Sequence, residues 1–358
     1  LKILVIQQKM IGDVLTSTIL FEALKTSYPD AELHYLINTH TYPVVENNPT
    51  IDKCIFFSPD LEKDKIKIFG FAKKLRQNRY DIVIDAYSKL SSNIISLMSG
   101  AEKRISYDKY YSRFCYTNTI DRRIKRGQIL ENLAIKTRLE LLSPLGIKNL
   151  EDIKPKIYLT DDEKAQAIEV LKINGLSLSH PIVMISALGS GPLKTYPYSY
   201  LAKVIDTVVD YNPNIQFLFN YIPKQAGEAR EIFDLCLPKT QSKIYFNVFG
   251  KSLREFLGLV SKCAAVVGNE GGAINMSKAL EVPTFSIFSP WNAKSEWSIF
   301  ENDTTDIAVH LEDYKSEYFQ DISKYKELKP KTQSLYQEFK PELFDDKLRT
   351  FINIISKN

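Results

Sequence analysis

The feature that most constrains this chain is an alternation of short apolar runs with stretches whose apolar residues recur at helical spacing, begun at residue 2 and resumed at residue 182. Residues 2–7 read as a buried strand, 14–27 as a helix closed by Pro29, and 31–37, 51–57 and 80–86 as further strands, the last preceded by a helix over 66–78. Runs that are apolar throughout belong to strands covered on both faces, so the pattern predicts a mostly parallel sheet between helical layers. A helix over 129–142, the stop Ser143-Pro144-Leu145-Gly146 and a polar, lysine-rich stretch to Pro155 interrupt the series. It restarts with strands at 182–187, 215–220, 242–246, 264–269 and 284–288, interleaved with helices at 198–211, 226–235, 252–261 and 273–280.

With 358 residues and about 150 per domain, two domains are expected. They are placed at 1–160 and 181–340, joined by a linker at 161–180 and followed by a terminal helix within 341–358 that could pack on either. In doubly wound sheets ligands bind at the carboxyl ends of the strands, so a cleft between the two domains is the expected site.

Composition removes several function classes. Apolar residues at 44%, charged residues at 25%, 14 Gly and 16 Pro describe a folded globular chain. Lys plus Arg exceed Asp plus Glu by 47 to 43, a surplus too small to drive nucleic-acid binding. Cys54, Cys115, Cys236 and Cys263 form no CxxC pair and read as ordinary thiols of a reducing compartment. His34, His40, His180 and His310 form neither a zinc motif nor a serine-type triad, so no metal site is expected. No apolar run approaches the ~18 residues of a membrane span, and the run at 3–6 is too short for a signal segment, so the expectation is a cytoplasmic protein, at most touching a membrane.

Three strand-to-helix junctions carry residues suited to chemistry. Gly12-Asp13 stands at the mouth of the first helix, where Gly12 permits a tight turn and Asp13 reads either as a helix cap or as a general base. No GxGxxG fingerprint is present. Gly189-Ser190-Gly191 with Lys194 could present backbone N–H groups and a point charge to a phosphate, or be a flexible loop with a solvated lysine. Asn269-Glu270-Gly271-Gly272-Ala273-Ile274-Asn275 places a glycine turn at a helix start, suited to a diphosphate, or is a tight turn needing glycine for packing. Trp291 and Trp297 read as packing residues. Residues 101–126 hold eight basic residues (Lys103, Arg104, Lys109, Arg113, Arg122, Arg123, Lys125, Arg126) against three acidic ones, interleaved with Tyr107, Tyr110, Tyr111, Phe114 and Tyr116. Such a patch suits a phosphate, a sugar acid or an anionic membrane, or is a solvated basic face.

Taken together, these motifs resemble glycosyltransferase family nine, the ADP-heptose:lipopolysaccharide heptosyltransferases. The resemblance runs through Gly12-Asp13-Val14-Leu15 with Tyr28-Pro29-Asp30-Ala31, the strand Asp81-Ile82-Val83-Ile84-Asp85 with Ser88 to Ser92, Gly189 to Lys194 with Tyr196 and Pro197, Gly250-Lys251-Ser252-Leu253, and Asn269 to Asn275, covering residues 1–292. It departs from the family pattern at Glu270, where the family has Asp, and at Asn275, where it has His. It implies an α/β chain of GT-B fold, two Rossmann-like doubly wound domains facing across a cleft, with acceptor on the first and nucleotide sugar on the second. It also implies inverting, metal-independent transfer with no cofactor, of a heptose or related sugar from an ADP-sugar to a lipopolysaccharide core or related anionic glycan or glycolipid, with contact at the inner membrane surface.

Under that resemblance Asp13 is the base, and Gly189, Ser190, Lys194, Gln225, Lys251, Glu270, Gly271, Gly272 and Asn275 bind the donor. Gly12, Lys89 and Arg104 are the acceptor-side candidates. A nucleotide-sugar epimerase and a non-catalytic nucleotide- or glycan-binding relative are the competing expectations.

Overall fold

The computed structural model describes residues 1–58, 60–61, 64–122, 132–147, 150, 153–320, 322 and 324–357. They divide into two units, Leu1–Tyr158 and Leu159–Asn358. In the first, β1 (Lys2–Ile6), β2 (Glu32–Ile37), β3 (Lys53–Phe56), β4 (Ile82–Asp85), β5 (Lys103–Tyr107) and β6 (Asn118–Ile120) form one sheet in the order β3-β2-β1-β4-β5-β6. In the second, β7 (Ile182–Ser186), β8 (Gln216–Asn220), β9 (Ala265–Asn269), β10 (Thr284–Ile287) and β11 (Asp306–Val309) stand in the order β11-β10-β9-β7-β8. Every pairing between these strands is parallel. Ile3 to Ile6, Val183, Ile185, Val266 and Val267 are buried, which is why the strands read as unbroken apolar runs.

Strand order reverses once in each sheet, between β1 and β4 and between β7 and β9. At such a switch point the flanking helices leave to opposite faces and the carboxyl edge is left open for a ligand. The segments after β1, β4, β7 and β9 are therefore the ones that fold topology presents to a ligand.

The structure departs from the sequence pattern in several places. The first helix is two, Ile11–Thr16 and Ile19–Ser27. The hydroxyls of Thr16 and Thr18 donate to the carbonyls of Gly12 and Leu15, competing with the helical ladder between them. The strand expected at 242–246 shrinks to one parallel bridge, Phe217 to Ile244, because the chain turns at once, with Val248 N–H donating to Tyr245. β5, β6 and β11 lie outside the strands that the sequence pattern predicts; β5 lies in the basic segment, its Ile105, Ser106 and Tyr107 buried and Lys103 exposed. The helix expected from 129 is observed as Leu133–Leu139, and its first positions lie outside the described residues.

The span 161–180 is not a linker. Thr160 and Glu163 form a reciprocal cap that starts the helix Asp161–Ile173, which belongs to the second unit. Arg254 clamps Glu163 through two bonds of 2.6 and 2.5 Å, and Gly258 lets the helix Leu253–Val260 approach Ala167 closely. The terminal helix Asp345–Ile355 packs on Tyr198–Tyr211, with Tyr211 donating to Asp345 at 2.6 Å.

His310 is buried in the second unit against Phe319 and Tyr325, and burial pushes its pKa down to about 4. The unfolded chain takes up a proton near the ordinary value of about 6.5, and the folded chain refuses it until about 4, so falling pH favours unfolding across that window. Between pH 6.5 and 4.5 this one group should cost about 2 kcal/mol. Urea midpoints over that range for wild type and His310→Gln test it: the variant should show the shallower decline, and equal slopes would exclude His310 as the cause.

Candidate active site

In the first unit the turn after β1 is made by Met10, whose φ of 39° lies in the left-handed region, and not by Gly12, which sits inside the first helical turn. Asp13 follows in that turn. It makes no capping bond; its Oδ1 instead accepts from Arg138 Nη2 at 2.5 Å. Arg138, nearly buried, also donates from Nε to Ser17 Oγ at 3.1 Å and from Nη1 to the Ala134 carbonyl at 2.7 Å. The guanidinium is thus fixed from three sides, and it fixes the half-exposed carboxylate in turn. Oδ2 accepts no hydrogen bond among the described residues, which leaves a carboxylate oxygen available at the switch point.

At the carboxyl end of β4, Asp85 is buried. It accepts from the N–H groups of Tyr87 and Ser88 at 3.0 and 2.7 Å and from the Tyr116 hydroxyl at 2.6 Å. Burial raises its pKa above the ordinary carboxylate value, against the pull of those bonds. Its role is to hold the turn that delivers Lys89 to the carboxyl edge. Lys109, absent from the sequence-derived site, joins that edge by donating from Nζ to the Ser88 carbonyl at 2.5 Å.

Arg104 does not belong to this site. It lies one residue into β5, level with Val83, and its guanidinium donates to the Cys115 and Ala101 carbonyls at 3.0 and 2.7 Å. Parallel register puts it towards the amino end of the sheet, away from Asp13. Arg123, Lys125 and Arg126 of the basic segment lie outside the described residues.

In the second unit, Lys194 and Glu270 arrive from the adjacent strands β7 and β9 and pair at 3.1 Å. Glu270 is almost buried, and the same oxygen, Oε1, accepts from Asn292 Nδ2 at 3.0 Å. Lys194 also lies 5.3 Å from the ring centre of Trp291, whose indole N–H donates to the Leu193 carbonyl at 2.8 Å. Trp291 is therefore more than filler, and its location after β10 gave no local signal of this. Lys194, Glu270, Gly271, Asn275, Lys278 and Trp297 line one cavity of about 70 Å³. That is far below the ~300–1,000 Å³ of whole ligand pockets, so it suits one portion of a ligand.

Gly271 has a φ of 146°, a conformation that favours glycine, and opens the helix Gly272–Ala279. Asn275 N–H makes the first intrahelical bond, to Gly271, so the N–H groups of Gly272, Ala273 and Ile274 precede the ladder. This is the form of an anion site at a helix start. Gly189 serves otherwise: its N–H donates to Thr195 Oγ1 at 3.1 Å, and a Cβ there would stand 2.1 Å from the Lys194 carbonyl oxygen. It shapes the loop and offers no free N–H to a phosphate. Ser190 is exposed on that loop, outside the cavity. Gln225 stands past β8 at the same carboxyl edge, and Lys251 lines a separate cavity of about 690 Å³ beside Glu163 and Arg254.

Asn269 positions the site without entering it. Fully buried, it accepts from Tyr196 N–H at 2.6 Å and donates to the Ser186 and Ala187 carbonyls at 3.0 and 2.8 Å, tying the end of β9 to the loop after β7.

Each unit thus carries one switch-point site, a clamped carboxylate in the first and a lysine beside a helix start in the second. The model of glycosyltransferase family 9 (heptosyltransferase) matches residues 68–326, well over half of the chain. The chain belongs to this family. Lipopolysaccharide heptosyltransferase 1 of Campylobacter coli is 22% identical over 293 residues, covering 80% of this chain and 84% of that protein. The family 9 glycosyltransferase structure from Veillonella parvula superposes with a TM-score of 0.74 at 17% identity, covering 94% and 97% of the two chains. The E. coli ADP-heptose lipopolysaccharide heptosyltransferase II structure superposes with a TM-score of 0.66, also at 17% identity, over 95% and 99%. This family 9 enzyme is thus a glycosyltransferase with the GT-B fold of two Rossmann-like units.

Proposed function

We propose that this glycosyltransferase moves a heptose from ADP-heptose to an anionic sugar of a lipopolysaccharide core, with inversion and without a metal. The observation that carries the mechanism is the Asp13 carboxylate, held by Arg138 through one oxygen at the switch point of the first sheet. As the new glycosidic bond forms, the acceptor hydroxyl loses its proton to Asp13 Oδ2, while the bond from the anomeric carbon to the diphosphate breaks and leaves an oxocarbenium-like sugar between them. Negative charge grows on the departing diphosphate. Lys194 and the N–H groups of Gly272 to Ile274 are the donors placed to receive it. Glu270 holds Lys194 in position until the diphosphate competes for the ammonium. The family membership and the names of the relatives, which include an ADP-heptose enzyme, support the choice of donor.

The test is a thermal-shift and calorimetric comparison of ADP, UDP, GDP and CMP, without added metal, on wild type and Lys194→Ala. ADP at 100 times its Kd should add about 2.7 kcal/mol of apparent stability. Lys194→Ala should weaken ADP about 10- to 100-fold, the loss of one charge-assisted contact to phosphate. Preference for another nucleotide would overturn the donor, and unchanged ADP affinity in the variant would remove Lys194 from the diphosphate site.

A further inference from the structure

The cavity of about 70 Å³ in the second unit is walled by two lysines and one carboxylate. Lys194 comes from the loop after β7 and Glu270 directly follows β9, and these two pair with each other. The second lysine, Lys278, belongs to the helix Gly272–Ala279 and is absent from the sequence-derived site. The residues lining the cavity therefore carry one positive charge in excess.

A lysine on the last turn of a helix ordinarily meets water and complements the carbonyls of that turn. Lys278 is half-buried instead, and its Nζ donates to the Ile299 carbonyl at 2.6 Å, beside Ser298 on the cavity wall. Asn275 precedes it by three residues, so the two share a helix face, and both line the cavity. Helical side chains lean towards the helix N-terminus, which takes Lys278 towards the N–H groups of Gly272 to Ile274 that precede the ladder.

The cavity has the size and the donors of a phosphate site. At the ~10–15 Å³ that one water requires, about 70 Å³ holds on the order of five heavy atoms, the number in a phosphoryl group. Ser298 is buried in the wall, and its Oγ has no hydrogen-bond partner among the described residues, a hydroxyl that a phosphate oxygen can satisfy. Two ammonium groups around so small a space repel each other, and an anion between them turns that repulsion into attraction. Neutral sugar hydroxyls would leave the surplus charge unmatched.

We propose that Lys278 is a second cation of the donor site, pairing with the diphosphate beside Lys194, with Ser298 as a further donor. The proposal deepens the reading of Lys194 and the helix start as the diphosphate site and rests on it. As the sugar leaves, the charge growing on the diphosphate then meets two lysines, of which Glu270 neutralises one.

The test is calorimetric titration of the full chain with ADP and with adenosine, which lacks phosphate. Lys278→Gln keeps a donor for the Ile299 carbonyl and drops the charge; it should weaken ADP at least about tenfold and leave adenosine unchanged. Wild-type ADP affinity in this variant, or equal losses of ADP and adenosine, would overturn the proposal. Asn275→His/Lys278→Gln supplies a readout that a packing role would not move. An imidazole gains its proton near pH 6.5, so between pH 8 and pH 6 the double variant should gain about tenfold in ADP affinity relative to Lys278→Gln over the same range. Parallel pH profiles for the two variants would also count against Lys278. Failure of the diphosphate reading shows separately, as unchanged ADP affinity in Lys194→Ala; failure of this proposal alone leaves the Lys194→Ala loss in place beside an unaffected Lys278→Gln.

Discussion

Asp13→Asn is expected to lower turnover by about 10²–10⁴, equivalent to about 3 to 5 kcal/mol in the barrier, with ADP affinity and melting temperature almost unchanged. The substitution is close to isosteric. Asparagine keeps an oxygen for Arg138 Nη2, so the guanidinium stays anchored to Ser17 and Ala134, while the atom proposed to take the acceptor proton loses its basicity. A purely structural role predicts the opposite split: stability falls with the loss of charge pairing, and turnover survives. Single-turnover rates beside thermal melts separate the two, and near-wild-type turnover would remove Asp13 from the chemistry. Arg138→Leu adds a second reading, since it leaves Asp13 without its clamp. If positioning is what Arg138 supplies, kcat falls in that variant and adding Asp13→Asn to it costs much less than the single changes would sum to.

Asn269→Ala should destabilise the second unit by about 3–5 kcal/mol, a large fraction of the 5–15 kcal/mol that holds a typical domain. The side chain satisfies three buried backbone groups at once, Tyr196 N–H and the Ser186 and Ala187 carbonyls, and truncation orphans all three. Asn269→Asp is the discriminating variant. It preserves the acceptor for Tyr196 but turns an oxygen towards two carbonyls and buries a charge, so it should be no more stable than the alanine. Urea unfolding followed by tryptophan fluorescence measures both, Trp291 lying against the loop that Asn269 secures. A loss under 1 kcal/mol in the alanine variant would mean that water replaces the amide.

The legibility of the fold varied with burial. The helices at 198–211 and 226–235 match the observed Tyr198–Tyr211 and Ala226–Leu235 because an apolar face at helical spacing is a strong local signal, bounded in the first case by Pro197. β5 leaves a weak strand signal in the sequence, because Lys103 and Arg104 at its start are charged and only Ile105, Ser106 and Tyr107 are buried. The helix Asp161–Ile173 reads as a linker in the sequence because it buries little, chiefly Ala167 and Leu171. Tyr196 gave no hint that residues after 300 matter, yet its hydroxyl donates to the Phe339 carbonyl and its ring meets those of Tyr336 and Phe344, so the tail supports the lysine loop from below.

What the sequence by itself determined is where the chain reaches its two switch points: strand, short loop, chemically capable residue, helix, at Asp13, at Lys194 and at Glu270. These are local properties, encoded within about a dozen neighbouring residues. What only the tertiary structure decided is who meets whom. Arg138 is 125 positions from the carboxylate it clamps, the partner of Lys194 comes from another strand, and Arg104 falls at the wrong end of its own strand to serve Asp13. Partnership of this kind depends on sheet order and register, which follow from the packing of the whole core and leave no trace in the spacing of any one segment.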